Sequence, residues 1–245
     1  MGGVIICDLM EFELTKAVLD DPEGLIIPVF KPVGLSSFDV IRRLRPILKV
    51  KKIGHAGTLD PFADGVLIVG VGRGATRRLD EFQMLEKEYT GEVVLGITTD
   101  TFDPTGKQIE VNEYELPDES TIQEVLNEFV GTIEQLPPVF SAVKVNGVRA
   151  YKAARKGLEI AIKPREVNVK SIQLMRMLSD GFKMKVICSK GTYIRTLAFD
   201  IGRRLGMGAH LGQLTRTRIG SFTVEQSKTI EDIAAWAGEM YRSEK

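Results

Sequence analysis

The chain has 245 residues, with 33 Lys and Arg against 33 Asp and Glu, a formal net charge of zero and 43% hydrophobic residues. These are the values of an ordinary globular protein that can bury a proper core. No apolar run approaches the ~20 residues needed to span a bilayer, and the two cysteines, Cys7 and Cys188, form neither a metal spacing nor a disulfide framework, so a reducing cytoplasm is the expected location.

Residues 1–24 form an acidic leader in which Asp8, Glu11, Glu13, Asp20, Asp21 and Glu23 face Lys16 alone, a pattern incompatible with a basic-headed signal peptide. Leu25 to Phe30 is apolar and β-prone with Pro28 inside it, the mark of an edge or entering strand. Ser36 and Asp39 form a capping box that opens a helix through Leu48. Its apolar stripe is expected at Phe38, Ile41, Leu44 and Leu48, leaving Arg42, Arg43, Arg45 and Lys49 outward. Gly54 to Pro61 (GHAGTLDP) reads as a tight glycine-rich loop, followed by a buried strand at Gly65 to Gly70.

Ala75 to Leu85 is expected as a helix, Tyr89 to Ile97 as a long strand and Thr121 to Val130 as an acidic helix. Phe140 to Val145 enters a hairpin turning at Asn146-Gly147. A second hairpin runs from Val167 to Met177, turns near Asp180-Gly181 and returns through Cys188. A helix from Tyr193 to Leu205 follows, and Thr229 with Asp232 caps a last one. Helices interspersed with hairpins argue for an α/β (α+β) fold: a mixed, largely antiparallel sheet flanked by helices. Without a repeat or composition break, residues 25–245 read as one catalytic domain.

The zero net charge hides strong patterning. Arg42 to Arg78 holds nine Lys or Arg against Asp60 and Asp64, Lys183 to Arg218 holds eight against Asp200, and Asp100 to Glu134 holds ten acids against Lys107. Such blocks are usually solvated faces, but here the basic ones contain the glycine-rich loops, which favours a polyanion surface.

Three stretches carry reactive side chains: His55 with Asp60, Lys87-Glu88-Tyr89, and Cys188 to Arg195. Asp60 can serve as nucleophile, general base or metal ligand. His55 and His210 are the only histidines and have no cysteine cluster beside them, so zinc has poor support. No Gly-x-Ser-x-Gly elbow is present. Gly70-x-Gly72-x-x-Ala75, with Glu92 downstream, fits the relaxed dinucleotide fingerprint, a weak match because Glu92 lies inside its strand rather than at its end.

Taken together, Lys31-Pro32-x-Gly34-x-Ser36-Ser37, Gly54 to Pro61, Gly65-Val66-Leu67, Ala75-Thr76, Lys87-Glu88-Tyr89, Thr99-Asp100-Thr101 with Asp103, Ser189 to Arg195, Gly208 to Leu211 and Leu214-Thr215-Arg216 resemble the TruB family of tRNA pseudouridine synthases. The blocks stand in family order from about Leu25 to Phe222. The resemblance implies the pseudouridine synthase catalytic fold and isomerisation of uridine 55 in the T-arm loop of tRNA. By the same pattern Asp60 is the catalytic aspartate, Tyr89 stacks on the flipped base and is a candidate for late proton transfer, and Arg195 pairs with Asp60. His55 enters the disrupted RNA loop, Lys31 and Pro32 wall the pocket, Leu214 packs beside the base, and Arg216 meets backbone phosphate.

No metal, nucleotide or redox cofactor is implied. The expected partner is the T-arm stem-loop of tRNA, with no membrane and no obligatory protein partner, and the expected state is a monomer. Roughly twenty residues follow Phe222, which points to a short form without the PUA domain that many members carry. A tRNA-binding or folding module whose modification is secondary, and a guide-RNA-dependent synthase of the dyskerin type, are the alternatives.

Overall fold

The computed structural model describes residues 21–138 and 162–243, together with Ile5–Ile6, Leu19, Lys144–Val145 and Val148–Arg149. In chain order the elements are β1 (Ile5–Ile6), β2 (Leu25–Lys31), α1 (Ser37–Leu48), β3 (Ile53–Ala56), β4 (Asp64–Val71), α2 (Arg73–Arg77), α3 (Leu79–Met84), β5 (Lys87–Leu95), β6 (Ile97–Thr99), β7 (Gln108–Val111), α4 (Glu119–Glu128) and β8 (Gly131–Gln135). They continue with β9 (Lys144–Val145), β10 (Val148–Arg149), β11 (Arg165–Leu178), β12 (Gly181–Cys188), α5 (Ile194–Arg204), β13 (Ala209–Ile219), β14 (Phe222–Thr223) and α6 (Ile230–Ser243). The fold is α+β, as expected, and its strand pairs are mostly antiparallel: β2 with β4, β3 with β4, β6 with β7, β8 with β11, and β11 with β12. The pair β1 and β2 is parallel. The chain divides into two compact units, 1–87 with 216–245, and 88–215.

In the first unit β4 is buried along nearly its whole length, because it is covered on both faces. Leu67, Val69 and Val71 join Leu25, Ile27 and Val29 of β2 against α1 and α6. The intervening Val66 and Ile68 face Ala75, Leu79 and Phe82 of α2 and α3. A strand covered twice must be apolar without alternation, which is why its sequence reads as an uninterrupted hydrophobic run. Pro28 is tolerated in β2 because its missing N–H falls on the side away from β4, where Lys228 N–H donates to Pro28 O at 2.9 Å and Phe30 N–H to Lys228 O at 2.9 Å.

Both capping boxes form. Ser36 caps α1 with Asp39 reciprocating, and Thr229 and Asp232 exchange bonds of 2.8 and 3.0 Å before α6. Two details differ from expectation. Phe38 is 57% exposed and lies under the Arg45 guanidinium at 5.6 Å, because Val40 rather than Phe38 completes the buried stripe of α1. The helix expected over Ala75 to Leu85 begins at Arg73 and breaks at Arg78 into α2 and α3.

In the second unit the long strand stops at Leu95, where Gly96 (φ +79°) turns the chain into β6. The β11–β12 hairpin extends slightly beyond its expected ends, and Asp118 caps α4 through Thr121 N–H at 2.8 Å. The strands β9 and β10 pair as antiparallel partners, while the Asn146-Gly147 turn lies outside the described residues. The dinucleotide fingerprint fails on topology: it needs a parallel β-α-β unit, and β4 is antiparallel to both β2 and β3. Glu92 instead pairs with Lys183 and Arg176 at 3.5 and 3.6 Å.

Candidate active site

Asp60 sits in the first unit on the loop joining β3 to β4, with His55 on β3 itself rather than in the loop. Gly57 (φ +71°) turns the chain out of β3. The loop then closes on itself, Ala63 N–H donating to Asp60 O at 3.1 Å. Three side chains fasten its backbone. Ser37 of α1 accepts from Leu59 N–H at 2.9 Å and donates to Leu59 O at 3.1 Å.

Lys31, at the end of β2 and fully buried, donates from Nζ to the carbonyls of Pro32 (2.9 Å), Leu35 (2.8 Å) and Ala63 (2.5 Å). Burial lowers its pKa to about 8, a shift opposed by the nearby carboxylates of Asp64 and Asp60. Pro32 continues from it half-buried, and Gly34 N–H binds Pro61 O at 2.7 Å.

The third fastening is Arg216, only 1% exposed. Its guanidinium donates to Val66 O (2.8 Å), Gly57 O (3.2 Å) and Thr58 O (3.4 Å). The phosphate contact expected of Arg216 therefore gives way to a structural one: its donors are spent on the two ends of the loop, away from solvent. Lys31, Ser37 and Arg216 together immobilise the backbone that carries Asp60, and the buried Lys31 ammonium lies close enough to the Asp60 carboxylate to interact with its charge. Such a carboxylate can attack carbon, accept a proton or neutralise a cation.

In the second unit Tyr89, on β5, is 9% exposed, and Leu214, on β13, is 6% exposed. Arg195 lies in the first turn of α5, 4% exposed. Its Nη1 donates to Asp103 Oδ2 at 3.1 Å and to Thr101 O at 2.9 Å. Asp103 is in turn held by Thr101 Oγ1 (2.7 Å), Thr105 N–H (2.9 Å) and Thr105 Oγ1 (2.5 Å). Asp103 supplies the counter-charge that offsets the cost of burying this guanidinium. Asp103 belongs to one of the sequence blocks already noted, Thr99-Asp100-Thr101 with Asp103, but nothing in that block marks it as the partner of Arg195. Among the described residues no group of three or more His, Cys, Asp or Glu is placed to hold a metal ion.

The residues thus define a class first: an α+β protein that presents one fastened aspartate, with an aromatic and a buried, acid-braced arginine on its second unit. The sequence profile of the TruB family pseudouridylate synthase (N terminal domain) matches residues 45–194, and that of the tRNA pseudouridylate synthase B C-terminal domain matches 195–245. A "tRNA pseudouridine synthase B" of Parabacteroides distasonis is 48% identical over 221 residues, 88% of this chain and 94% of that protein. Another, of Clostridium tetani, is 43% identical over 208 residues, covering 85% and 72%. The chain belongs to the TruB family of pseudouridylate synthases, and it is an isomerase of that kind.

Among solved structures, a Cbf5-Nop10-Gar1 complex superimposes with a TM-score of 0.73 at 29% identity, over 97% of this chain and 62% of that one. An H/ACA RNP bound to a substrate RNA containing 2'-deoxyuridine gives 0.68 at 27% identity, over 91% and 56%. The chain therefore spans about three-fifths of the length of those structures' chains. No helix among the described residues is long and apolar enough to cross a membrane.

Proposed function

We propose that this chain isomerises uridine 55 (tRNA numbering) in the T-arm loop of tRNA to pseudouridine, with Asp60 as the nucleophile. The observation that supports it is the fastening of the Asp60 loop by Ser37, Lys31 and Arg216. The reaction breaks the glycosidic N1–C1′ bond, turns the base and joins C5 to C1′, and a carboxylate that adds covalently and leaves again divides it into two easier steps. The target base is stacked within its loop and must be flipped out. In this reading Tyr89 and Leu214 receive the flipped base, and His55 fills the gap it leaves in the RNA. Lys31 and Pro32 back the wall of the pocket, and Arg195 supplies positive charge to the reacting centre. The enzyme works in the cytoplasm as a monomer, without cofactor or protein partner, and residues 25–245 act as its catalytic part.

The test is incubation of the purified chain with unmodified tRNA and with a transcript carrying cytidine at position 55, followed by carbodiimide mapping of pseudouridine. Modification is expected at position 55 of the first RNA alone and none from Asp60→Asn. Product formed by Asp60→Asn at the wild-type rate would remove the nucleophile assignment.

A further inference from the structure

At the end of β4 remote from Asp60 the chain turns sharply at Gly72 (φ +90°), whose N–H binds Lys52 O at 2.9 Å. This turn sets α2 directly over the residue that precedes β3. Arg73, Thr76 and Arg77 are spaced i, i+3 and i+4, so they share one face of α2. With Lys52 they line a concavity of about 380 Å³. Thr76 Oγ1 is turned to the backbone, donating to Gly72 O at 2.9 Å, which leaves the three cations as the charged lining. All three are exposed. The next arginine, Arg78, is neutralised by Glu81 at 2.9 Å, whereas among the described residues Lys52, Arg73 and Arg77 have no carboxylate at ion-pair distance. Three like charges gathered around one hollow repel each other, and a polyanion relieves that repulsion.

We propose that this hollow is a phosphate-backbone subsite for tRNA duplex beyond the T-arm; the inference rests on the function proposed above. The placement follows from the strand. β4 has eight residues between the Asp60 loop and the α2 turn, and at ~3.3 Å per residue it holds the hollow roughly 23 Å from the end of that loop. Base pairs follow one another more closely along the axis of A-form RNA than along B-form DNA, so that length covers more base pairs than the T-arm stem offers. Contacts to phosphate there position the RNA without reading its sequence.

The experiment compares wild type, the triple variant Lys52→Gln/Arg73→Gln/Arg77→Gln and the charge-keeping Arg73→Lys/Arg77→Lys. Each is titrated at several salt concentrations with full-length unmodified tRNA and with the isolated T-arm stem-loop. The triple variant should bind full-length tRNA about tenfold more weakly, and the slope of log K against log salt should fall by about 2 to 3. The stem-loop should be bound and modified as by wild type, and the Arg-to-Lys variant should retain affinity for both RNAs. Unchanged binding of full-length tRNA by the triple variant would overturn the inference. Equal weakening toward both RNAs would also overturn it, by moving the contact into the T-arm. A wild-type chain that modifies neither RNA would instead refute the function itself, so the two failures are distinguishable.

Discussion

Lys31 is a lysine kept entirely inside the protein, and its ammonium is the common donor to three carbonyls around the catalytic loop. Burial depresses its pKa from 10.5 to about 8. In the unfolded chain the amine keeps its proton up to the ordinary value, so between pH 8 and 10.5 the unfolded state binds more protons than the folded one. Stability contributed by this group therefore rises with pH across that window and is flat below it. Denaturant unfolding of wild type and Lys31→Met over the same range should show that the variant lacks this rise. At neutral pH the variant should be less stable by about 2 kcal/mol, because its carbonyls lose their donor. Single residues were unevenly legible. The GHAGTLDP block exposed Asp60 at once, whereas the Asp103 partner of Arg195 is 92 positions away in sequence, a separation that no local pattern spans.

At the level of elements, what could be read were features that act within a few residues. The Ser36–Asp39 box is such a feature, and Ser36→Ala should cost about 1 kcal/mol in chemical denaturation, with the midpoint shifting and the slope preserved. The uninterrupted apolar run of β4 was equally readable, since burial on both faces leaves one signal only. β13 was not. Its buried positions include Leu211, Leu214 and Arg216, which fall on both faces with a charged residue among them, so the alternation by which a half-buried strand is recognised is missing. The break between α2 and α3 went unseen for a related reason: Leu79 and Phe82 bury as one helix would, so the apolar spacing continues through the interruption.

For the whole molecule, the charge blocks need sorting by what each cation touches. In the basic stretch from Lys183 to Arg218, Arg195 and Arg216 are buried, Lys183 and Lys185 pair with Glu92 and Glu88, and Arg204 and Arg218 pair with Glu128 and Glu86. Much of that block is neutralised internally. The stretch from Arg42 to Arg78 instead leaves Arg43, Lys51 and Lys52 at the surface. Binding of tRNA measured at several salt concentrations should separate the two: Arg43→Gln lowers the salt slope by about one, whereas Lys185→Gln leaves it in place. The Arg216 fastening has a consequence in time. Its bond to Val66 O joins residues 150 positions apart, and ribosomes add roughly 5–20 residues per second. During synthesis the Asp60 segment leaves the ribosome roughly 8 to 30 s before the arginine that orders it, so the nascent polypeptide cannot act on RNA until Arg216 has emerged.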